Sequence, residues 1–278
     1  MDDKYLKECI KRFLAEDIGQ GDITSEPIFK PDQTGRAVFI AKEDFITCGL
    51  TKVAPLVFSC QNNNIICDGT GDSTQVRSGE TIFTAEGPVL DLLKAERVAL
   101  NLVQRLCGIA TLTNQYLKRV KGLPVTVVDT RKTTPGLRSM EKYAVRVGGG
   151  HNHRMSLADG ILIKDNHIEA CGSISDAVKK VRTQAPHTLK VEVETENLDQ
   201  VRECLSCGVD IIMLDNMAPD LMRQAVELVN GKAILEASGG VNLNNIRAIA
   251  ESGVDIISVG ALTHSAPSCD ISMKMISV

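Results

Sequence analysis

The chain has 278 residues, 43% of them hydrophobic and 24% charged, enough apolar material for about two packed domains. A formal net charge of −4 leaves no basic field for nucleic acid and no polybasic arm for a membrane surface, and no apolar run approaches the ~20 residues of a bilayer span. The charged opening Met1–Glu8 argues against a secretory leader, and nine cysteines without framework spacing read as reduced thiols, so a cytoplasmic location is expected.

Leu6, Ile10, Phe13 and Leu14 recur at helical spacing and predict a helix across the first ~25 residues, closed by the turn-forming Gly19-Gln20-Gly21-Asp22. From there to Pro88, the β-prone runs Arg36–Ile40, Asn64–Cys67 and Thr81–Thr84 alternate with turns at Asp68–Asp72 and Ser78-Gly79-Glu80. That texture predicts a small sheet. Leu93, Val98, Leu102 and Leu106 restore the helical period between Val89 and Val120, and Gly108 is expected to break that stretch into two helices.

The second half repeats one grammar, a β-branched run followed by a helical stretch. The runs are Val125–Val128, Ile161–Ile163, Lys190–Val193, Ile211–Leu214, Ala233–Leu235 and Ile256–Val259, and Gly208-Val209-Asp210-Ile211-Ile212 recurs as Gly253-Val254-Asp255-Ile256-Ile257. Alternating βαβα argues for a parallel sheet, closed as a barrel or doubly wound. The runs end in Asp129-Thr130-Arg131-Lys132, Lys164-Asp165-Asn166-His167, Glu194, Asp215-Asn216, Ser238-Gly239-Gly240 and Gly260-Ala261. A barrel gathers such ends on one face, with phosphate held by glycine turns after the last strands. A doubly wound nucleotide fold puts its glycine loop after the first strand, where this sequence has none. The barrel is therefore expected.

Arg131, Lys132, Arg138, Arg146, Arg154 and Lys164 cluster in an otherwise acidic chain. A solvated basic face is the plain reading, but charges that directly follow apolar strands are poorly hydrated unless an anion meets them. A polyanionic small substrate is the sharper one. Glu192 and Glu194 share one face of their strand, and ion pairing is the ordinary account of both. Glu194 and Asp215 end successive strands, a donor set that suits Mg²⁺ together with substrate phosphate. Gly148-Gly149-Gly150-His151-Asn152-His153-Arg154 suits anion recognition better than zinc, because His-x-His lacks a third ligand in register. Cys204-x-x-Cys207 has no second pair and reads as structural.

These segments resemble the quinolinate phosphoribosyltransferases over nearly the whole chain. The resemblance is carried by Glu16–Ser25, Glu96-Arg97-Val98-Ala99-Leu100-Asn101, Asp129–Arg138 with its Thr-Arg-Lys-Thr-Thr-Pro-Gly core, Gly148–Arg154, Ile163–His167, Leu214-Asp215-Asn216 and Ser238-Gly239-Gly240. It implies an N-terminal open-faced α/β sandwich (1–108, completed by about 267–278) and an incomplete (β/α) barrel (109–266). It also implies a homodimer or higher homo-oligomer in which Arg97 serves the partner's site, with Arg131, His153, Arg154 and Lys164 binding substrate. The implied reaction converts quinolinate and phosphoribosyl pyrophosphate to nicotinate mononucleotide, pyrophosphate and carbon dioxide. Lys132, Lys164, Glu194 and Asp215 then become the catalytic set, the last two as Mg²⁺ ligands. Ser238, Gly239, Gly240, Gly260, Ala261 and His264 become the 5-phosphate cradle. A related enzyme acting on nicotinate and a barrel that binds anions without turnover are the competing readings.

Overall fold

The computed structural model describes residues 3–276. Helix α1 (Asp3–Ile18) buries Leu6, Ile10 and Leu14 as their spacing requires, and it ends earlier than expected, where Gly19 turns to φ +56°. Then follow β1 (Thr34–Ala41), β2 (Phe45–Ile46), α2 (Val53–Gln61), β3 (Ile66–Gly69), β4 (Gln75–Val76) and β5 (Thr81–Pro88). Phe39 of β1 and Phe58 of α2 both pack on Phe83 of β5, with ring centroids 4.9 and 5.6 Å away, and anchor this core.

Helix α3 (Val89–Arg119) runs unbroken through Gly108, against the expectation of two helices. The glycine is there for space: a Cβ at this position would lie 1.8 Å from the Pro267 carbonyl oxygen. Close approach of backbone outweighs the modest helix cost of one glycine.

The remaining elements are β6 (Thr126–Val128), α4 (Arg138–Val147), β7 (Ile161–Ile163), α5 (Asp165–Cys171), α6 (Ile174–Gln184), β8 (Val191–Thr195), α7 (Leu198–Ser206) and β9 (Ile211–Asp215). After them come α8 (Pro219–Val229), β10 (Ile234–Ser238), α9 (Ile246–Ala250), β11 (Ile256–Ser258), α10 (Ala261–His264) and β12 (Ile271–Ile276).

Two compact units result. The first takes the chain up to Asn114, Thr134–Gly149 and the chain from Ala266. Its main sheet is antiparallel in the order β12-β1-β5-β3, with β2 and β4 paired separately. The 108/109 boundary expected from the sequence falls inside α3, and α4 groups with this unit. The second unit, Gln115–Thr133 and Gly150–Ser265, holds six parallel strands in the order β6-β11-β10-β9-β8-β7. No ladder joins β6 to β7 among the described residues, so the barrel is incomplete. Along that edge His151 bridges Val128, accepting from the Asp129 N–H at 3.1 Å.

The internal repeat has a physical cause. Asp210 accepts the Val191 N–H and Asp255 the Leu235 N–H, each at 2.8 Å, while Gly208 and Gly253 take positive φ just before them. Each Gly-Val-Asp-Ile-Ile thus turns the chain and clamps the new strand to its neighbour.

Candidate active site

The C-terminal ends of the parallel strands surround a basin of about 690 Å³. Of the residues that the family resemblance assigns to the site, all but Arg97 line it. Lys132 follows β6, its N–H donating to Thr130 Oγ1 at 3.1 Å and its carbonyl accepting the Thr263 hydroxyl at 2.8 Å. Lys164 follows β7 and sets Nζ 2.5 Å from Oε2 of Glu194, a buried residue of β8. Asp215 ends β9, and Asn216 behind it takes the left-handed backbone (φ +54°) that asparagine tolerates. Asn216 donates to Asp215 Oδ2 at 2.7 Å and, through its N–H, to the Ser238 carbonyl at 2.9 Å.

That turn needs the glycine beside it. A Cβ at Gly239 (φ +85°) would come within 2.3 Å of Asn216 Oδ1. Gly260 opens α10 where a Cβ would press at 3.1 Å on the His264 ring and 3.2 Å on Lys132 Cδ. Bare backbone therefore borders the basin on this side, the surface a phosphate can approach closely.

The His153-Arg154 loop is pinned from below. Asp129, fully buried, accepts Asn152 Nδ2 at 2.5 Å and the His153 N–H at 2.9 Å. His153 Nε2 lies 3.3 Å from Glu192 Oε2 and 3.6 Å from Glu236 Oε1, and Nδ1 accepts the Arg154 N–H at 2.8 Å. The Arg154 guanidinium donates to the Gly160 carbonyl at 2.9 Å. Burial, then the Arg131 charge, weakens Arg154's hold on its proton. Arg131 and Arg154, both half-buried on the wall of the basin, offer guanidinium forks suited to carboxylate. Burial, then the charge of Glu192, pushes the Glu236 carboxyl up to about 7.

Sequence reasoning missed Glu236, whose signal was an acid inside the apolar run Ile234-Leu235-Glu236-Ala237. It also held that a histidine metal set here would lack a third ligand, yet donor atoms of His153, Glu192 and Glu236 lie within 4.8 Å of one another. Arg138 and Arg146 belong to α4 and do not line the basin, and His151 is exposed. Arg97 sits on α3 with its side chain 57% exposed, 3.9 Å from Glu96 Oε1. Cys204 is buried in α7 and Cys207 closes that helix; all nine cysteines are unpaired. No helix among the described residues is long and apolar enough to cross a membrane.

Residues 22–107 match the family described as "Quinolinate phosphoribosyl transferase, N-terminal domain" and residues 109–274 its C-terminal counterpart. A probable carboxylating nicotinate-nucleotide pyrophosphorylase of Bacillus subtilis is 46% identical over 278 residues, 99% of this chain and 95% of that protein. A chloroplastic carboxylating nicotinate-nucleotide pyrophosphorylase of Arabidopsis thaliana is 42% identical, over 97% of this chain and 82% of its own. The solved nicotinate-nucleotide pyrophosphorylase of Francisella tularensis superposes with a TM-score of 0.94 at 39% identity, covering 99% of this chain and 98% of the other.

Proposed function

Since the chain belongs to the quinolinate phosphoribosyltransferase family, we propose that its basin joins quinolinate to the ribosyl group of phosphoribosyl pyrophosphate. The products are nicotinate mononucleotide, pyrophosphate and carbon dioxide, a step of NAD biosynthesis. The observation that carries this reading is the convergence of Arg131, Lys132, Arg154 and Lys164 on one basin, opposite Glu194, Asp215 and the glycine turns.

Arg131 and Arg154 pair with the two ring carboxylates, joined by Arg97 of the partner subunit in a homodimer. Lys132 and Lys164 draw charge from the departing pyrophosphate while ribose C1 becomes cationic. The bare backbone at Gly239, Gly240, Gly260 and Ala261 takes the 5-phosphate, with Ser238 and His264 beside it. The ring nitrogen supplies the electron pair of the new bond to C1 as the C1–O bond breaks toward pyrophosphate. Once positive, it accepts the electrons released when the adjacent carboxylate leaves as carbon dioxide, and the ring carbon takes up one proton.

Glu194 and Asp215 fit Mg²⁺ by donor chemistry, two carboxylates on neighbouring strands opening on a site for phosphates. Bound there, the ion would add positive charge at the pyrophosphate oxygens. The unpaired cysteines and net negative charge support a cytoplasmic setting. The test is turnover of carboxyl-labelled quinolinate with Mg²⁺ and phosphoribosyl pyrophosphate, in which labelled carbon dioxide and pyrophosphate should appear one for one.

A further inference from the structure

Beneath the His153-Arg154 loop, Glu192 and Glu236 are only 4% and 2% exposed, and Oε1 of each has no hydrogen-bond partner. The substrates are anions, and phosphoribosyl transfer by itself asks for no acid pair under their carboxylate-binding groups. What the two acids meet is His153 Nε2, at 3.3 and 3.6 Å. The other ring nitrogen, Nδ1, accepts the Arg154 N–H at 2.8 Å. Only a bare ring nitrogen accepts, so the ring proton of a neutral His153 sits on Nε2, facing the acids. A cation bound at Nε2 would need that nitrogen bare as well. Metal-bound histidine normally offers its second N–H to an acceptor, and here the second nitrogen faces a donor.

We propose that Glu192 and Glu236 are positioning residues of the reaction: they hold His153 in the Nε2–H tautomer, which leaves Nδ1 to fix the Arg154 amide and aims Arg154 at a substrate carboxylate. The proposal rests on the assignment of quinolinate to this basin. Burial and the Glu192 charge favour the neutral acid at Glu236, which eases the repulsion of two acids that face one imidazole. Asp129 grips the preceding residues through Asn152 and the His153 N–H, so the loop is held at successive points. A histidine held by two buried acids loses little orientation as substrate arrives.

Nitrogen-15 NMR of histidine-labelled, substrate-free wild-type protein at pH 7 reads the tautomer directly. His153 should carry its proton on Nε2 with Nδ1 bare. A proton on Nδ1, alone or with Nε2, overturns the proposal, and so does loss of the Nε2 proton on adding Zn²⁺, which would make the trio a cation site. In kinetics, Glu192→Met with Glu236→Met should raise KM for quinolinate about thirtyfold while KM for phosphoribosyl pyrophosphate changes by less than about twofold. Restoring either acid alone should recover most of that loss. An unchanged quinolinate KM, or an equal rise in both KM values, overturns it. If the double variant does not fold, the NMR result decides. Wild-type protein that turns over no quinolinate would instead refute the underlying assignment, while the tautomer is read without substrate.

Discussion

Glu194 and Asp215 face a basin otherwise rich in cations, and the Lys164 ammonium sits 2.5 Å from the first of them. If they serve Mg²⁺, Asp215→Asn and Glu194→Gln should each lower turnover about a hundredfold and flatten its dependence on Mg²⁺, with the thermal unfolding profile unchanged. Normal activity with normal metal dependence in both would reduce them to ion-pairing residues. Glu236 gives a prediction of a different kind. Its ordinary value is 4.5 and burial lifts it to about 7, so between these limits the folded protein keeps a proton that the unfolded chain has released. The stability this contributes is full below the lower value and lost as pH rises through the upper one. Glu236→Gln should therefore remove part of the wild-type fall in denaturant midpoint between pH 5 and pH 8; parallel midpoints in the two proteins would contradict the shift. Arg131, Lys164, Glu194 and Asp215 were readable from sequence because each stands at or just beyond the end of an apolar run. Glu236 was not, since strand alternation shows which face a side chain takes but not what lies across the barrel.

At the scale of elements, period and punctuation carried most of the assignment. The six parallel strands follow the β-branched runs within a few residues, and the Gly-Val-Asp-Ile-Ile repeat marks two strand starts clamped by the same aspartate bond. Helix α3 is where local reasoning failed. A glycine costs an isolated helix about 1 kcal/mol, a signal that points to a break. Here Gly108 is retained because the Pro267 carbonyl lies where its Cβ would be, a contact far away in sequence that no local window contains. Gly108→Ala should therefore destabilise, by about 1–3 kcal/mol or more, despite alanine's better helix propensity. Thermal denaturation checks this: Tm should fall by roughly 2–4 °C per kcal/mol, and a rise would mean that propensity outweighs the contact.

At the scale of the whole molecule, nothing in composition or periodicity suggests a shared site, and Arg97 by itself reads as a surface ion-pairing residue of α3. If it acts in the partner's basin, Arg97→Ala and Lys164→Ala homodimers should both be nearly inactive. Mixed under subunit exchange, half the dimers become heterodimers with one complete basin of two, so activity should return to about a quarter of wild type. Confirmed heterodimers without recovery would assign Arg97 to its own subunit or to none. The claim on which the rest depends is that the basin is built for two ring carboxylates. It is tested most directly by comparing kcat/KM for quinolinate and nicotinate, each with phosphoribosyl pyrophosphate and Mg²⁺. Nicotinate leaves one guanidinium without its carboxylate, a loss on the order of 2–5 kcal/mol. Quinolinate should therefore be preferred by at least about thirtyfold, and equal turnover of the two acids would contradict the account.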